Sequence, residues 1–249
     1  MQDILNIASY RFVAITDADA VAVRVKESCL RHELKGTVLV SPEGINIFLA
    51  GTDSGIYGFL AELQSDPRFD GITVKFSRNG FVPFKRLRVK RKREIITYRD
   101  ERLAPENARA PSVTPETLAQ WLDRGHDDAG REVVLLDTRN AEEVVYGTFE
   151  GALTFPIAKF TELPEAIESR KEVLAGKTVV SFCTGGIRCE KSVLRMQTDG
   201  FPDCYQLEGG ILGYFEKMGG KHYQGRCFVF DDRIALDANL EPLIETPGF

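Results

Sequence analysis

Val179-Val180-Ser181-Phe182-Cys183-Thr184-Gly185-Gly186-Ile187-Arg188-Cys189-Glu190-Lys191 is the stretch whose reading decides this chain. An apolar run of strand length ends on a cysteine, a Gly-Gly loop follows, and Arg188 opens a helical pattern over about Cys189–Thr198. A strand that turns tightly into a helix aims several backbone N–H groups at one point, at the positive end of the helix. Such a cradle favours anions. A thiol held there ionises below its free pKa of about 8.5, because the same donors stabilise thiolate over thiol. Gly185 and Gly186 are expected to turn the backbone with φ > 0 and to keep side chains out of the cradle. Packing alone needs neither glycine nor the arginine, and an arginine at a helix start is mildly disfavoured by the helix dipole. Cys183 is therefore read as a reactive sulfur, with Thr184, Gly185, Gly186, Ile187, Arg188 and Cys189 as its loop.

Outward from this loop, Val133–Asp137 and Lys177–Phe182 are apolar runs of strand length, each followed by a helical pattern. Cys204–Leu207 is a further short strand, and Glu208-Gly209-Gly210 leads into a helix ending near Met218. Thr114 and Pro115 read as the cap and first residue of a helix running to about Asp123. Apolar strands separated by helices argue for a parallel sheet covered on both faces, with its site at the carboxyl ends of the strands. Cys183 falls at such an end. So do Asp137 and Arg139, read as residues that brace the site. Cys189 is read as packed under the loop, with a second low-pKa thiol that resolves an oxidised or persulfidated Cys183 as the alternative, and Cys29, Cys204 and Cys227 as core or incidental.

The upstream half differs. Tyr10–Ile15, a helix over about Ala20–Glu33 capped by Asp17 or Asp19, and strands at Gly36–Val40 and Ile45–Ala50 come first. A helix over about Gly55–Gln64 and a strand at Ile72–Ser77 follow, giving the β-α-β-β-α-β order of the ferredoxin-like fold. Beyond it lie Lys85, Arg86, Arg88, Lys90, Arg91, Lys92 and Arg93, seven cations in nine positions, with Leu87 and Val89 alternating between them. Phosphate backbones bind such a ribbon through counterion release, and Phe81, Phe84 and Tyr98 are candidates to stack on bases. A charge-protected edge strand is the simpler alternative. The density of charge favours RNA.

Whole-chain properties agree. Residues 1–110 hold 18 Lys+Arg against 14 Asp+Glu, while residues 111–249 hold 14 against 23, so the net charge of −5 conceals a basic half. No apolar run approaches the roughly 20 residues that span a bilayer, and no signal peptide is evident at the N-terminus. Five cysteines without a Cys-x-x-Cys pair fit a reducing cytoplasm. The three histidines lie at no ligand spacing, so no metal site is expected. Neither a dinucleotide fingerprint nor a P-loop occurs, which leaves sulfur as the centre of the chemistry.

Four residues separate Cys183 from Arg188, one fewer than in the cysteine phosphatases. The smaller ring of donors suits a persulfide's outer sulfur better than a phosphate dianion. This loop resembles the rhodanese active-site loop. Asp137-Thr138-Arg139, Gly147-Thr148-Phe149-Glu150-Gly151-Ala152 and Pro156 resemble the upstream rhodanese signature, with Thr148 in place of its usual histidine. With Gln206–Ile211, Gly225–Arg233 and the basic domain added, nearly the whole chain is similar to the rhodanese-domain family of oxygen-dependent tRNA uridine(34) hydroxylases. The resemblance implies hydroxylation of the wobble uridine at C5, with dioxygen as co-substrate and Cys183, bare or as a persulfide, as the catalytic residue. It implies tRNA, through its anticodon arm, as the partner. A sulfurtransferase and a non-catalytic RNA-binding module remain as alternatives. The expected architecture is α+β followed by α/β: a ferredoxin-like domain over 1–102, a linker over 103–113, a rhodanese-like domain over 114–220 and a C-terminal extension over 221–249.

Overall fold

Alternating burial builds the first half of the chain. β1 (Ile4–Phe12), α1 (Ala18–Arg31), β2 (Lys35–Ser41), β3 (Gly44–Gly51), α2 (Asp53–Gln64) and β4 (Val74–Asn79) follow one another, and β5 (Leu87–Arg91) is added last. They form one sheet of order β4-β1-β3-β2-β5, in a computed structural model that describes residues 3–243. The first four strands pair antiparallel in the ferredoxin-like order, and β5 joins β2 in parallel with Val89 opposite Val38. Ile45, Ile47 and Leu49 of β3 are fully buried, in one core with Val21, Val25 and Cys29 of α1 and Ile56, Phe59 and Leu63 of α2. Each such side chain is worth about 1.5–3 kcal/mol of burial. A slip of one residue would turn this whole set away from the helices, so the register is fixed.

Two local expectations are corrected here. The first strand begins at Ile4 rather than Tyr10, because polar Asn6 and Ser9 interrupt its apolar pattern. Both are buried and donate across the β1–β4 edge: Asn6 Nδ2 to the Ser77 carbonyl at 3.2 Å, and Ser9 Oγ to the Thr73 carbonyl at 2.7 Å. Asp17 occupies the cap position of α1 without capping it; its carboxylate accepts from Arg68 and Arg24 instead.

The second half contains β6 (Ser112–Val113), α3 (Pro115–Arg124), β7 (Val133–Asp137), α4 (Ala141–Val144), β8 (Gly147–Phe149), α5 (Leu163–Glu168), α6 (Lys171–Leu174), β9 (Thr178–Phe182), α7 (Ile187–Thr198), β10 (Cys204–Leu207) and α8 (Gly210–Met218). β11 (Tyr223–Gly225), β12 (Cys227–Phe228) and β13 (Ala235–Leu236) complete it. The main sheet is parallel, in the order β6-β10-β9-β7. Thr114 Oγ1 caps α3 by accepting from the Thr117 N–H at 3.2 Å. Val180 and Phe182 of β9 join Leu118 and Trp121 of α3 and Ile211 and Phe215 of α8 in one core. On the opposite face, Cys204 of β10 meets Met196 of α7. Every residue of β9 is buried, as a strand covered on both sides requires. β11 pairs with β8, so Tyr223 packs its ring edge-on against Phe149.

The described chain divides into two compact units. One holds the residues through Thr97 together with Phe230–Ile234, and the other holds Tyr98–Val229 with Ala235–Leu240. The last six positions of the expected C-terminal extension lie outside the described residues.

Candidate active site

β9 delivers Cys183 to the carboxyl edge of the parallel sheet, and α7 starts four residues later at Ile187. The Cys183 Sγ accepts the Gly186 N–H at 3.1 Å. Gly186 has φ = 97°, a left-handed conformation that glycine adopts without strain. Gly185 has no such φ, and a methyl group built on it meets nothing within 4 Å. The expectation that both glycines turn the backbone is thus corrected: Gly186 makes the turn and Gly185 faces open space.

A second device orients the loop. The N–H groups of Ile211 and Leu212, at the start of α8, donate to the carbonyls of Cys183 and Thr184 at 2.9 and 3.1 Å. Those carbonyls are thereby occupied away from the sulfur. The fit requires Gly210, which has φ = 61°; a Cβ there would lie 2.4 Å from the Cys183 carbonyl oxygen and 2.8 Å from the Gly186 nitrogen.

Burial alone pushes the Cys183 thiol up. The hydrogen bond from Cys189, the Arg188 charge and the N–H groups of Arg188 and Gly186 outweigh burial, and the thiol ends well below its ordinary range. Cys189, buried and hydrogen-bonded to that sulfur, is pushed up. Burial also raises Cys29, Cys204 and Cys227, each to about 12. All five thiols are free and buried, yet Cys183 is the one among them whose pKa is lowered.

Arg188 is anchored by a residue that the sequence reading missed. Its two terminal nitrogens each donate to a Glu143 carboxylate oxygen at 2.6 Å, with Glu143 fully buried and Arg188 only 6% exposed. Glu143 Oε2 also accepts the Asn140 N–H at 3.1 Å, the N3-to-cap contact that opens α4. The spacing Asn140-x-x-Glu143 was the signal available in the sequence. Beside this pair, Arg139 grips Asp137 through Nε (2.9 Å) and Nη2 (2.6 Å), and Nη2 also donates to the Gly147 carbonyl at 2.7 Å. Both members are fully buried. Thr148, at the position of the usual histidine, donates to Asp137 Oδ2 at 2.7 Å. Cys227, read as core or incidental, is buried in the core of this unit, and its thiol lies in the field of Arg139.

In the other unit, Lys85, Arg86, Arg88, Lys90, Arg91, Lys92 and Arg93 are all exposed, while Leu87 and Val89 turn inward against the core. Arg91 lies 3.6 Å from the Asp19 carboxylate. Tyr98 does not serve as an open stacking surface. It is 3% exposed, with its ring 4.7 Å from that of Phe160. Among the described residues, no group of three or more His, Cys, Asp or Glu is placed to hold a metal ion, and no helix is long and apolar enough to cross a membrane.

Residues 4–95 match the family model of the UPF0176 acylphosphatase like domain, and residues 114–217 that of the Rhodanese-like domain. Proteins called tRNA uridine(34) hydroxylase from Xanthomonas euvesicatoria and Xanthomonas axonopodis are each 57% identical to this chain. The first match covers 97% of this chain and 98% of the relative, the second 96% and 97%. A protein of the same name from Cupriavidus necator is 55% identical over 96% of this chain and 85% of its own length. The chain belongs to the tRNA uridine(34) hydroxylase family. In this hydroxylase family member, the rhodanese-like match spans the whole cysteine cradle with Asp137, Arg139 and Glu143, and the other match contains the cationic ribbon up to Arg93.

Proposed function

We propose that this protein is a tRNA-modifying enzyme that hydroxylates uridine 34 at C5 with dioxygen, and that Cys183 is its catalytic residue. The observation that carries the reading is the Cys183 sulfur at a strand end, accepting the Gly186 N–H beside the buried Arg188–Glu143 pair, in a chain with near full-length likeness to tRNA uridine(34) hydroxylases. Loop N–H groups and Arg188 hold negative charge on sulfur, and the Cys189 thiol donates to it. Asp137, Arg139 and Thr148 brace the adjoining strand end and the Gly147 turn. A persulfide would extend the reach of this buried sulfur by one S–S bond, about 2 Å. Dioxygen supplies the oxygen atom that enters the C5–H bond, and its second atom leaves as water with two electrons and two protons from an external reductant. The seven exposed ribbon cations bind the phosphates of the anticodon arm, and the unpaired wobble base is extruded to reach the sulfur at low unstacking cost. A reducing cytoplasm keeps all five thiols free.

The test is nucleoside mass spectrometry of unmodified tRNA incubated aerobically with the purified protein, beside a Cys183→Ser control. The reading requires the gain of one oxygen atom at uridine 34, dependent on Cys183. Full modification by Cys183→Ser would refute it. The rhodanese-like match and the four-residue spacing favour sulfur transfer as the second reading. Rapid thiocyanate release from thiosulfate and cyanide, without RNA oxidation, would select it.

A further inference from the structure

The first unit contains a cleft of about 460 Å³, lined mainly by two separate segments. The ribbon contributes Phe84, Lys85, Arg86 and Arg88; the segment Phe230–Ile234 contributes Phe230, Asp231 and Asp232, and Thr37 of β2 lines it too. Its volume lies within the range of about 300–1,000 Å³ typical of small-ligand sites.

Phe230 is 63% exposed, one of the few large apolar side chains left in water among the described residues. Its segment is nevertheless tightly fixed. Arg233, 7% exposed, clasps Asp231 through Nε (2.8 Å) and Nη2 (2.6 Å) and donates to Ser77 Oγ at 2.7 Å. The Asp232 N–H donates to the Pro83 carbonyl at 3.1 Å, and Ile234 closes the turn with φ = 65° and an N–H bond to the Asp231 carbonyl at 3.0 Å. A ring displayed on so rigid a mount pays little entropy when a flat partner stacks on it.

The charges identify that partner. Arg233 neutralises Asp231, so three exposed cations on the ribbon wall face one remaining carboxylate, Asp232, on the aromatic wall. Anionic phosphate fits the first wall; a base, with an amino group for the Asp232 acceptor, fits the second. We propose that this cleft is a nucleotide subsite in which Phe230 stacks on one unpaired base of the tRNA while Lys85, Arg86 and Arg88 hold the adjoining phosphates. The inference deepens the proposed function and rests on tRNA being the substrate. Phe230 here is a positioning residue and takes no part in the chemistry at the reacting uridine.

The experiment measures binding of an unmodified tRNA transcript to the full chain by fluorescence anisotropy across a salt series, for the unaltered protein, Phe230→Ala, Phe230→Tyr and Arg88→Gln. Loss of one stacked base is expected to weaken Phe230→Ala roughly fivefold to a hundredfold. Its salt slope should stay unchanged, because no phosphate contact is lost. Phe230→Tyr keeps the stacking face and should bind as the unaltered protein does, and Arg88→Gln should lower the slope by about one unit or slightly less. Equal affinity of Phe230→Ala and the unaltered protein overturns the subsite and leaves the proposed function intact. Absence of any tRNA binding by the unaltered protein overturns both.

Discussion

Gly210→Ala is the perturbation that most sharply tests how the cradle is built. The new methyl group would stand 2.4 Å from the Cys183 carbonyl oxygen and 2.8 Å from both the Gly186 nitrogen and the Thr184 carbonyl oxygen. All three are backbone atoms, so no side-chain rotation relieves the overlap. The left-handed φ of 61° costs an alanine about 1–2 kcal/mol, and forced overpacking adds about 1–3 kcal/mol. A total of about 2–5 kcal/mol corresponds to a drop in Tm of roughly 5–20 °C. The strain lands on the peptide groups that aim N–H donors at Cys183, so its thiolate should also lose support. Iodoacetamide alkylation near neutral pH, read site by site with mass spectrometry, should slow at Cys183 beside the fall in Tm. Gly185→Ala is the matched control: its methyl meets open space and should change stability by less than about 0.5 kcal/mol. A Gly210→Ala protein that melts and alkylates like its parent would refute this construction of the site.

Alkylation of Cys183 should rise with pH through an inflection well below the ordinary thiol value of about 8.5, since its pKa is lowered. The linked stability has a definite sign: it is fully present above the unfolded-state pKa and is lost as pH falls through the folded one. Cys189→Ala removes a donor to that sulfur and should move the inflection upward, whereas Cys189→Ser restores a donor and should move it less. Glu143→Gln leaves the nearly buried Arg188 without its counter-charge and should cost about 3–5 kcal/mol in denaturant unfolding. Arg88→Gln and Lys90→Gln, both at exposed positions, should each lower the salt slope of tRNA binding by roughly one unit or slightly less, without altering Cys183 alkylation.

What could be read in the sequence was what local rules determine. Strand-length apolar runs located β7 and β9, because strands of a covered parallel sheet are mostly hydrophobic. Thr114-Pro115 marked the start of α3 through chemistry confined to one turn. The loop motif placed Cys183 at a strand end before any long-range contact was visible. Features that depend on distant partners escaped. Asn6 and Ser9 conceal β1 because they donate to carbonyls 71 and 64 positions away. Tyr98 looked like surface, yet Phe160 covers it. Gly210 reads as an ordinary helix-entry glycine until the Cys183 carbonyl is seen against it. Glu143 was half legible, since its N3 spacing signals a cap, but its grip on Arg188 spans 45 positions.

The central claim is that the Cys183 site puts an oxygen atom from dioxygen on uridine 34. The measurement that meets it most directly is incubation of unmodified tRNA with the purified protein under heavy-oxygen-labelled dioxygen, followed by accurate-mass analysis of the nucleosides. Labelled oxygen on uridine 34 with the unaltered protein, and none with Cys183→Ser, is the predicted result. An unlabelled product, a mass change that fits sulfur in place of oxygen, or labelling that persists in Cys183→Ser would contradict it.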